Sequence, residues 1–379
     1  MSRTEKIAVL AAGGTGGHLF PAQALAEQLG RQGVRLSLIT DKRATEISGA
    51  LADADIYRIS ASGVSGRNII RRLFAIFGLC FGFIQAILFL RTIKPDVVVG
   101  FGSYASFPTV AAATLLGYRT VIHEQNAILG RANRLLAPRV TRIATAFEFV
   151  SNLKAKDRRK MVWTGNPVRP NIVAISDKPY PKFGQNSNIN ILIFGGSQGA
   201  TIFSNIVPKA LMLLPQEIMI RIRVVQQCRD EDVTRVQKIY RQANIEAIVK
   251  PFFNDIATHI SWSHLVICRA GASTLAELAA AGRPAILVPF PHAIDDHQTR
   301  NAQGLCDAGG GWMIAQDALT AGALASRLEA LCSIEHTLAM AAECATKIGV
   351  SSAAERLSSL VMETLDPDQI SRTEKRSAI

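Results

Sequence analysis

The sequence predicts an α/β protein with two Rossmann-like domains, on the basis of two glycine-rich turns and the length of the chain. The turn GGTGGH at residues 13–18 follows an apolar run at residues 7–12, and the turn GGSQG at residues 195–199 follows an apolar run at residues 191–194. Each turn opens into a stretch with helical character, so a buried strand, a glycine turn and a helix N-terminus occur twice. Because 379 residues exceed one ordinary core, we expect two domains facing a shared cleft.

The basic residues are concentrated in the first half of the chain. Residues 1–170 hold 23 Lys and Arg against 10 Asp and Glu, whereas residues 171–379 hold 19 against 20. The first half is therefore expected to face an anionic partner, such as phosphate, nucleic acid or anionic lipid. The six cysteines show no paired or metal-binding spacing, and only a short apolar run precedes the first glycine turn. These features predict reduced core cysteines, no signal peptide and a cytosolic protein.

The first glycine turn departs from two nucleotide-binding fingerprints. The G-x-G-x-x-G pattern fails because Leu19 stands where Gly or Ala is required. No GK[ST] follows either glycine turn, which excludes a P-loop. Asp41, which ends the predicted strand at residues 35–40, is therefore interpreted as a turn residue rather than a ribose ligand.

Residues 74–90 form an apolar stretch in which Gln85 is the strongly polar side chain. As a helix it would be roughly 25 Å long, shorter than the roughly 30 Å hydrocarbon core of a bilayer. It could be a transmembrane span, a fully buried core helix or a helix lying in the bilayer interface. Residues 58–94 contain six Lys and Arg and no acidic residue, which favours the interface and an anionic membrane surface as partner.

Three further turns follow predicted strands, at residues 100–108, 124–126 and 269–277. The carboxyl ends of parallel strands meet at one edge of a sheet, where open α/β sheets hold ligands. Thr274 and Glu277 have the spacing of a capping box, which is a structural reason for both residues. The functional interpretation places a diphosphate at this helix start and a ribose at Glu277.

A later loop contains four residues that could suggest a metal site: His292, Asp295, Asp296 and His297. Their spacing has no ordered ligand pattern, so the sequence predicts no metal site.

The segment GNPVRP at residues 165–170 interrupts all periodicity and is interpreted as the hinge between domains. The predicted organisation has four parts: an N-terminal domain (1–165), a C-terminal domain (166–345), a helix that packs back on the N-terminal domain (346–363) and a mobile tail (364–379).

Together these motifs resemble the MurG family of bacterial N-acetylglucosaminyltransferases, which are GT-B enzymes of glycosyltransferase family 28. The resemblance extends over about residues 5–360. It is carried by six motifs in the family's order: GGTGGH (13–18), HEQN (123–126), GNPVR (165–169), GGSQGA (195–200), CRAG through Glu277 (268–277) and the segment 288–298. Any one motif is weak, but the ordered set is specific.

The resemblance implies a hexosyltransferase of peptidoglycan synthesis. Members move N-acetylglucosamine (GlcNAc) from UDP-GlcNAc to the C4 hydroxyl of the muramoyl sugar in lipid I, giving lipid II with inversion at the anomeric carbon. It also implies peripheral attachment to the cytoplasmic face of the bacterial inner membrane, without a cofactor, a metal ion or nucleic acid. Two alternatives stay open: a UDP-GlcNAc 2-epimerase-like enzyme, which would not need the apolar basic stretch, and a non-catalytic membrane-associated nucleotide-sugar binding protein.

The resemblance also implies roles for particular residues. His18 corresponds to the catalytic base or to an acceptor-site histidine. The implied substrate contacts are Thr15, Gly16, Gly17, Asn126, Arg169, Ser197 and Gln298 for the donor, Phe253 for uracil, Ala272, Ser273 and Thr274 for the diphosphate, and Glu277 for the ribose. A histidine suits proton removal at cytoplasmic pH. Donors at a helix start oppose the negative charge that grows on departing UDP.

Overall fold

The computed structural model describes residues 5–13, 16–42, 44, 47, 49–61, 69–184, 187–196, 199–334 and 336–365. The chain divides into two compact units, the first within Met1–Arg169 and Ser352–Ile379 and the second within Pro170–Ser351. The chain passes between the units after Arg169 and after Ser351, a few residues beyond the predicted boundaries at residues 165 and 345. The first boundary lies later than predicted because α5 of the second unit begins at Pro170.

A parallel sheet, with seven strands among the described residues, forms the centre of the first unit. The strands are β1 (Ile7–Ala11), β2 (Arg35–Thr40), β3 (Asp55–Arg58), β4 (Val97–Gly100), β5 (Arg119–Glu124), β6 (Arg142–Thr145) and β7 (Met161–Trp163). Their spatial order is β3-β2-β1-β4-β5-β6-β7. The order of the strands reverses between β1 and β4, and ligands of open α/β sheets bind beside such a switch point.

Helices pack on both faces of this sheet. They are α1 (Gly16–Arg31), α2 (Ile69–Ile93), α3 (Ser103–Leu115) and α4 (Arg131–Leu136). Alternate residues of β1 enter different cores, since Ala8 and Leu10 pack with residues of α1 whereas Val9 packs with residues of α2 and α3. A strand that is apolar on both sides is what a sheet covered on both faces requires.

The second unit repeats this architecture with six parallel strands among its described residues, in the order β10-β9-β8-β11-β12-β13. The strands are β8 (Ile189–Phe194), β9 (Ile222–Gln227), β10 (Glu246–Lys250), β11 (Leu265–Cys268), β12 (Ala285–Leu287) and β13 (Gly311–Met313). The helices are α5 (Pro170–Ser176), α6 (Thr201–Leu211), α7 (Gln216–Met219), α8 (Asp230–Gln242), α9 (Ile256–Trp262), α10 (Ala272–Ala280), α11 (His297–Asp307), α12 (Ala321–Ser333) and α13 (Thr337–Ile348). The predicted α/β class, with a Rossmann-like sheet in each half, is confirmed.

The C-terminal helix α14 (Ala353–Leu365) belongs to the first unit. Gln28 Nε2 on α1 donates to Glu355 (2.9 Å), and Gln32 Nε2 donates to Ser358 Oγ (3.1 Å). Arg119 at the start of β5 donates to the Leu365 carbonyl at the end of the helix. The first part of the predicted tail is therefore helical, and residues 366–379 lie outside the described residues.

Helix α2 has one buried and one exposed face. Ala86 and Leu90 are fully buried, and Gln85 Oε1 accepts a hydrogen bond from the Ser60 N–H (2.8 Å). The opposite face is apolar and exposed, with Phe74, Ile76, Phe77, Phe81, Ile84 and Leu88 between 47% and 75% accessible. The interpretation as a fully buried core helix is therefore wrong. Cys80 on this helix is also exposed, so not every cysteine lies in the core as predicted.

Phe74–Ile93 is, among the described residues, the helical segment that is long and apolar enough to cross a membrane by length and composition. The whole of α2 has 25 residues and is roughly 37 Å long, longer than the sequence predicts. Its buried face packs on α3, and Tyr57 of β3 lies 5.0 Å from Phe89 between ring centroids. These contacts join it laterally to a sheet domain, which favours the interfacial interpretation over a span.

The turn into α3 contains a serine in a conformation that favours glycine. Gly102 has φ 76°, and the next residue, Ser103, has φ 69°. The left-handed region costs a non-glycine residue roughly 1–2 kcal/mol, whereas glycine loses roughly 0.5–1 kcal/mol more entropy on folding. Ser103→Gly is expected to raise the free energy of unfolding by about 0.5–1 kcal/mol in urea titration.

The matched control is Ser359→Gly on the exposed face of α14, where the backbone is helical. That change should lower the free energy of unfolding by about 0.5 kcal/mol. Equal destabilisation by both substitutions would show that the Ser103 turn is not strained.

Candidate functional site

Both units place helix N-termini at the carboxyl edges of their sheets. In the first unit, His18 lies in the first turn of α1 after β1, and Asn126 follows β5. In the second unit, Ser273 lies in the first turn of α10 after β11, and Gln298 lies in the first turn of α11. The helix dipole and the oriented backbone N–H groups of a helix start favour anions at the starts of α1, α10 and α11.

Most of the predicted site residues lie at the carboxyl edge of one of the two sheets. Gly16 and Gly17 are the first two residues of α1, so the helix begins earlier than the glycine-rich sequence predicts. Among the described residues, no heavy atom outside its own helix and chain neighbours lies within 4 Å of the point where a Cβ on Gly17 would stand. Thr15 and Ser197 lie outside the described residues.

His18 lies close to the turns that follow β4 and β5 of the first sheet. Its Nδ1 lies 3.0 Å from Gln125 Oε1. A Cβ built on Gly102 would lie 3.7 Å from both His18 Cε1 and Gln125 Oε1. A Cβ on Gly13 would lie 2.5 Å from Ser103 Oγ. Glycine at position 13 therefore lets the first turn approach Ser103, whereas glycine at position 102 is favoured by its φ of 76°.

Glu124, the last residue of β5, is a buried carboxylate that accepts four hydrogen bonds. Oε1 accepts from the Asn126 backbone N–H (3.0 Å) and from Asn126 Nδ2 (3.1 Å). Oε2 accepts from the Gly130 N–H and from Asn133 Nδ2, both at 2.8 Å. Only 2% of Glu124 is accessible, so this carboxylate orients Asn126. It does not contact a ligand, which is the role that its position after a predicted strand had suggested.

His123 precedes this carboxylate and is fully buried. Its Nε2 donates to the Gly165 carbonyl (3.1 Å), and its Nδ1 accepts from Gln125 Nε2 (3.2 Å). Burial lowers the pKa of His123 from 6.5 to about 4, and the neighbouring His18 contributes a smaller lowering. His123 is therefore neutral at cytoplasmic pH and acts as a fixed donor and acceptor.

This neutral histidine makes stability depend on pH. Between pH 6.5 and about 4, the unfolded chain binds a proton that folded His123 does not, so stability falls as the pH falls. At one unit of pKa per 1.36 kcal/mol, we expect a loss of about 2 kcal/mol between pH 7 and pH 5 from this residue. Urea midpoints at the two pH values measure it. A His123→Gln variant should show a correspondingly smaller difference, and an unchanged difference would exclude His123 as its source.

Arg169 is the last residue of the first unit before the chain crosses into the second. Its guanidinium lies 4.8 Å from the ring centroid of Phe20 on α1, in cation–π geometry. This contact places the cation against the first turns of α1. Asn166, also in the predicted hinge segment, is 4% accessible, and its amide atoms have no hydrogen-bond partner among the described residues.

Helix α10 in the second unit begins earlier than the capping-box interpretation requires. Its N-cap is Gly271, so Thr274 is the third residue of the helix and the capping box with Glu277 is wrong. A glycine N-cap has no side-chain oxygen to accept from the first N–H groups of the helix, and helix starts of this kind are common anion sites. Ala272, Ser273 and Thr274 form this first turn, and Glu277 lies one turn later with 6% of its surface accessible.

The remaining predicted contacts also lie at the carboxyl edge of the second sheet. Phe253 follows β10, and its ring packs against His259 with centroids 4.6 Å apart. Gln298 Oε1 accepts from the Phe290 N–H (2.9 Å), so this side chain closes the loop that precedes α11. Asn301 Nδ2 donates to the Ala270 carbonyl (3.3 Å), which fixes the turn into α10.

Sequence reasoning missed Arg269 as an organiser of the second unit. Its guanidinium donates to the Val288 and Pro289 carbonyls (3.1 and 3.2 Å) and lies 5.4 Å from the ring centroids of Phe203 and Phe290. It therefore holds the loop after β12 against the turn after β11. An arginine directly after a buried strand was the available signal.

Within the described ranges, no group of three or more His, Cys, Asp or Glu side chains could hold a metal ion. His292, Asp295, Asp296 and His297 all lie inside those ranges.

Comparisons with known proteins cover nearly the whole chain. Residues 8–145 match the family model for the glycosyltransferase family 28 N-terminal domain, and residues 190–357 match that for the family 28 C-terminal domain. A relative from Rhodospirillum rubrum is 52% identical over 94% of this chain and 92% of its own. That relative is named UDP-N-acetylglucosamine–N-acetylmuramyl-(pentapeptide) pyrophosphoryl-undecaprenol N-acetylglucosamine transferase.

Two solved structures define the likeness of fold. The crystal structure of MurG from Acinetobacter baumannii matches with a TM-score of 0.75 and 32% identity, over 94% of this chain and 99% of that one. A UDP-N-acetylglucosamine 2-epimerase matches with a TM-score of 0.63 over 93% of this chain and 95% of that one. The identity with the epimerase is 12%, so this second likeness concerns the fold alone.

Proposed function

Because this chain belongs to glycosyltransferase family 28, we propose that it transfers GlcNAc from UDP-GlcNAc to lipid I. The acceptor group is the C4 hydroxyl of N-acetylmuramic acid in undecaprenyl-pyrophosphoryl-MurNAc-pentapeptide, and the product is lipid II of peptidoglycan synthesis. The observation that carries the proposal is the 52% identity with a transferase of that name along nearly the whole chain. The two-domain GT-B fold is shared with epimerases and does not discriminate between the two activities.

The second unit supplies the contacts to the uracil, ribose and diphosphate of UDP-GlcNAc in this proposal, together with Ser197 and Gln298. The first-turn N–H groups of α10, at Ala272, Ser273 and Thr274, face the diphosphate of UDP, and Glu277 accepts from the ribose hydroxyls. Phe253 contributes its backbone to uracil recognition, with Gln298 contacting the sugar. Oriented N–H groups at a helix start stabilise the charge that develops on UDP as it leaves.

The first unit supplies the base and binds the acceptor. His18 takes the proton of the C4 hydroxyl while the hydroxyl oxygen attacks C1 of GlcNAc. The new C4-oxygen–C1 bond forms as the bond from C1 to the phosphate oxygen breaks, and its electron pair leaves with UDP. Attack opposite the leaving group inverts C1. Asn126, oriented by Glu124, and Arg169, beside Phe20, are contacts from this unit to UDP-GlcNAc, together with Thr15, Gly16 and Gly17.

One experiment discriminates this reaction from both alternatives. The protein is incubated with UDP-GlcNAc in deuterated buffer, with and without lipid I, and the mixture is followed by proton NMR. A transferase releases UDP only with the acceptor and leaves the C2 proton of GlcNAc in place. Deuterium at C2 without acceptor would identify an epimerase, and bound donor without UDP release would identify a binding protein.

The exposed face of α2 supports docking on the cytoplasmic face of an anionic membrane, where the lipid acceptor lies. Leu115 of α3 and Leu135 of α4 are also exposed, at 68% and 64%, and α3 packs between α2 and α4. Arg91 is exposed near the end of α2. An apolar face with basic residues at its margin is attracted to anionic lipid and inserts shallowly. No nucleic acid partner is proposed.

Membrane docking predicts the effect of removing apolar side chains from that face. The combined substitution Phe74→Ser, Phe77→Ser and Phe81→Ser should weaken binding to anionic vesicles by roughly 10³-fold, because three rings that each contribute about 1.5 kcal/mol on burial sum to about three factors of ten in affinity. UDP-GlcNAc affinity should be unchanged. Vesicle sedimentation measures binding, and Leu213→Ser with Met340→Ser, exposed positions of the second unit, serves as control. Unaltered sedimentation of the folded triple variant would refute docking through α2.

A further inference from the structure

Gln125 connects two histidines of the first unit through its side-chain amide. The residue is 3% accessible and follows β5 directly. Its Oε1 lies 3.0 Å from His18 Nδ1, and its Nε2 lies 2.9 Å from the Phe101 carbonyl and 3.2 Å from His123 Nδ1. The amide therefore stands between a partly exposed histidine at the site and a buried one behind it.

Chemistry determines which way round this amide lies. The Phe101 carbonyl oxygen can only accept, so the amide atom facing it is the NH₂ group. The opposite atom, Oε1, is an acceptor and faces His18 Nδ1. A hydrogen bond between them requires the proton of neutral His18 on Nδ1. The lone pair of the imidazole is then on Nε2.

The other end of this chain of hydrogen bonds, at His123, runs in the same donor-to-acceptor direction. His123 Nε2 faces the Gly165 carbonyl at 3.1 Å, so the proton of His123 is on Nε2 and its Nδ1 accepts from Gln125. Burial, which lowers the pKa of His123 to about 4, keeps this ring neutral. Two backbone carbonyls thus fix every donor and acceptor from Gly165 to His18. Reversing the His18 tautomer would break a hydrogen bond of a buried amide, which costs free energy.

We propose that Gln125 is a positioning residue that holds His18 as its Nδ1–H tautomer, so that Nε2 is presented to the acceptor hydroxyl. The inference rests on the proposed function only for the identity of that hydroxyl. During transfer the hydroxyl proton moves to Nε2, and the positive charge of the imidazolium strengthens its Nδ1–H bond to Oε1. Gln125 thus orients the histidine through a hydrogen bond and does not itself exchange a proton.

The first test reads the tautomer directly in the wild-type protein. Nitrogen-15 NMR of histidine-labelled protein distinguishes protonated from unprotonated ring nitrogens, and a His18→Ala sample identifies the His18 signals. In its neutral form, His18 should show a protonated Nδ1 and an unprotonated Nε2, and Gln125→Met should give a mixture. A wild-type His18 with its proton on Nε2 would overturn the proposal, whatever the protein transfers.

The second test is a double-mutant cycle on kcat. Gln125→Met keeps the side-chain volume and removes both polar atoms, and we expect kcat to fall roughly 10–10²-fold with little change in KM for UDP-GlcNAc. If Gln125 acts through His18, then adding Gln125→Met to His18→Ala lowers kcat by less than about twofold. A purely structural role predicts the full fall in both backgrounds and would overturn the proposal. A wild-type protein that transfers no GlcNAc to lipid I would instead refute the proposed function.

Discussion

His18→Ala is expected to lower kcat for GlcNAc transfer by roughly 10²–10⁴-fold, the range contributed by a positioned general base. The KM for UDP-GlcNAc should change by less than about twofold, because proton removal occurs in the transition state and not in donor binding. The structural reason is the place of the ring. It lies in the first turn of α1 with Nδ1 against Gln125, which directs Nε2 away from that contact.

Steady-state assays with varied donor and saturating lipid acceptor separate the two constants. His336→Ala is the matched control, since this exposed histidine at the N-terminus of α13 lies in the second unit. Its kcat should equal that of the wild type. Undiminished transfer by His18→Ala would assign this histidine to acceptor contact or packing and leave the reaction without its proposed base.

Glu277→Gln is expected to raise KM for UDP-GlcNAc by roughly 10–10²-fold. Hydrogen bonds to a charged group contribute about 1.5–3 kcal/mol, and a tenfold change in affinity corresponds to about 1.4 kcal/mol. The carboxylate lies on the second turn of α10 with 6% of its surface accessible. The amide keeps the shape of the side chain but loses its charge and one acceptor.

Calorimetric titration with UDP alone extends this prediction, because the ribose belongs to the nucleotide and not to the transferred sugar. The Kd for UDP should rise by the same factor as KM for UDP-GlcNAc. Glu217→Gln, at an exposed position on α7, should bind UDP as the wild type does. A Glu277→Gln variant that binds UDP normally but fails to turn over would place Glu277 in the chemistry and not at the ribose.

The fold was predictable because its signals are local. Strands covered on both faces give continuous apolar runs, such as residues 191–194 and 265–268, and glycine turns mark where they end. Helix starts were less accurate, because glycines belong to both turns and first helical residues. Thus α1 begins at Gly16 within the glycine-rich segment, and α10 begins after Gly271 and not after Thr274.

The division of roles within HEQN could not be predicted. Consecutive residues at the end of a strand face opposite sides of the sheet, so their partners depend on distant segments. His123 bonds to Gly165 and Gln125 bonds to Phe101 and His18, all remote in sequence. The sequence favoured an interfacial α2 but could not give the full set of exposed positions, since exposed and buried positions of this helix are equally apolar.

The configuration of the product is the most direct measurement of the proposed chemistry. The sugar of UDP-GlcNAc is α-linked, and a single displacement assisted by His18 must give a β-linked disaccharide. NMR coupling at the new anomeric proton of the product formed from UDP-GlcNAc and lipid I reads this configuration. We expect the β linkage to C4 of the muramoyl sugar, with one UDP released per linkage. An α-linked product, or no product with both substrates bound, would contradict it.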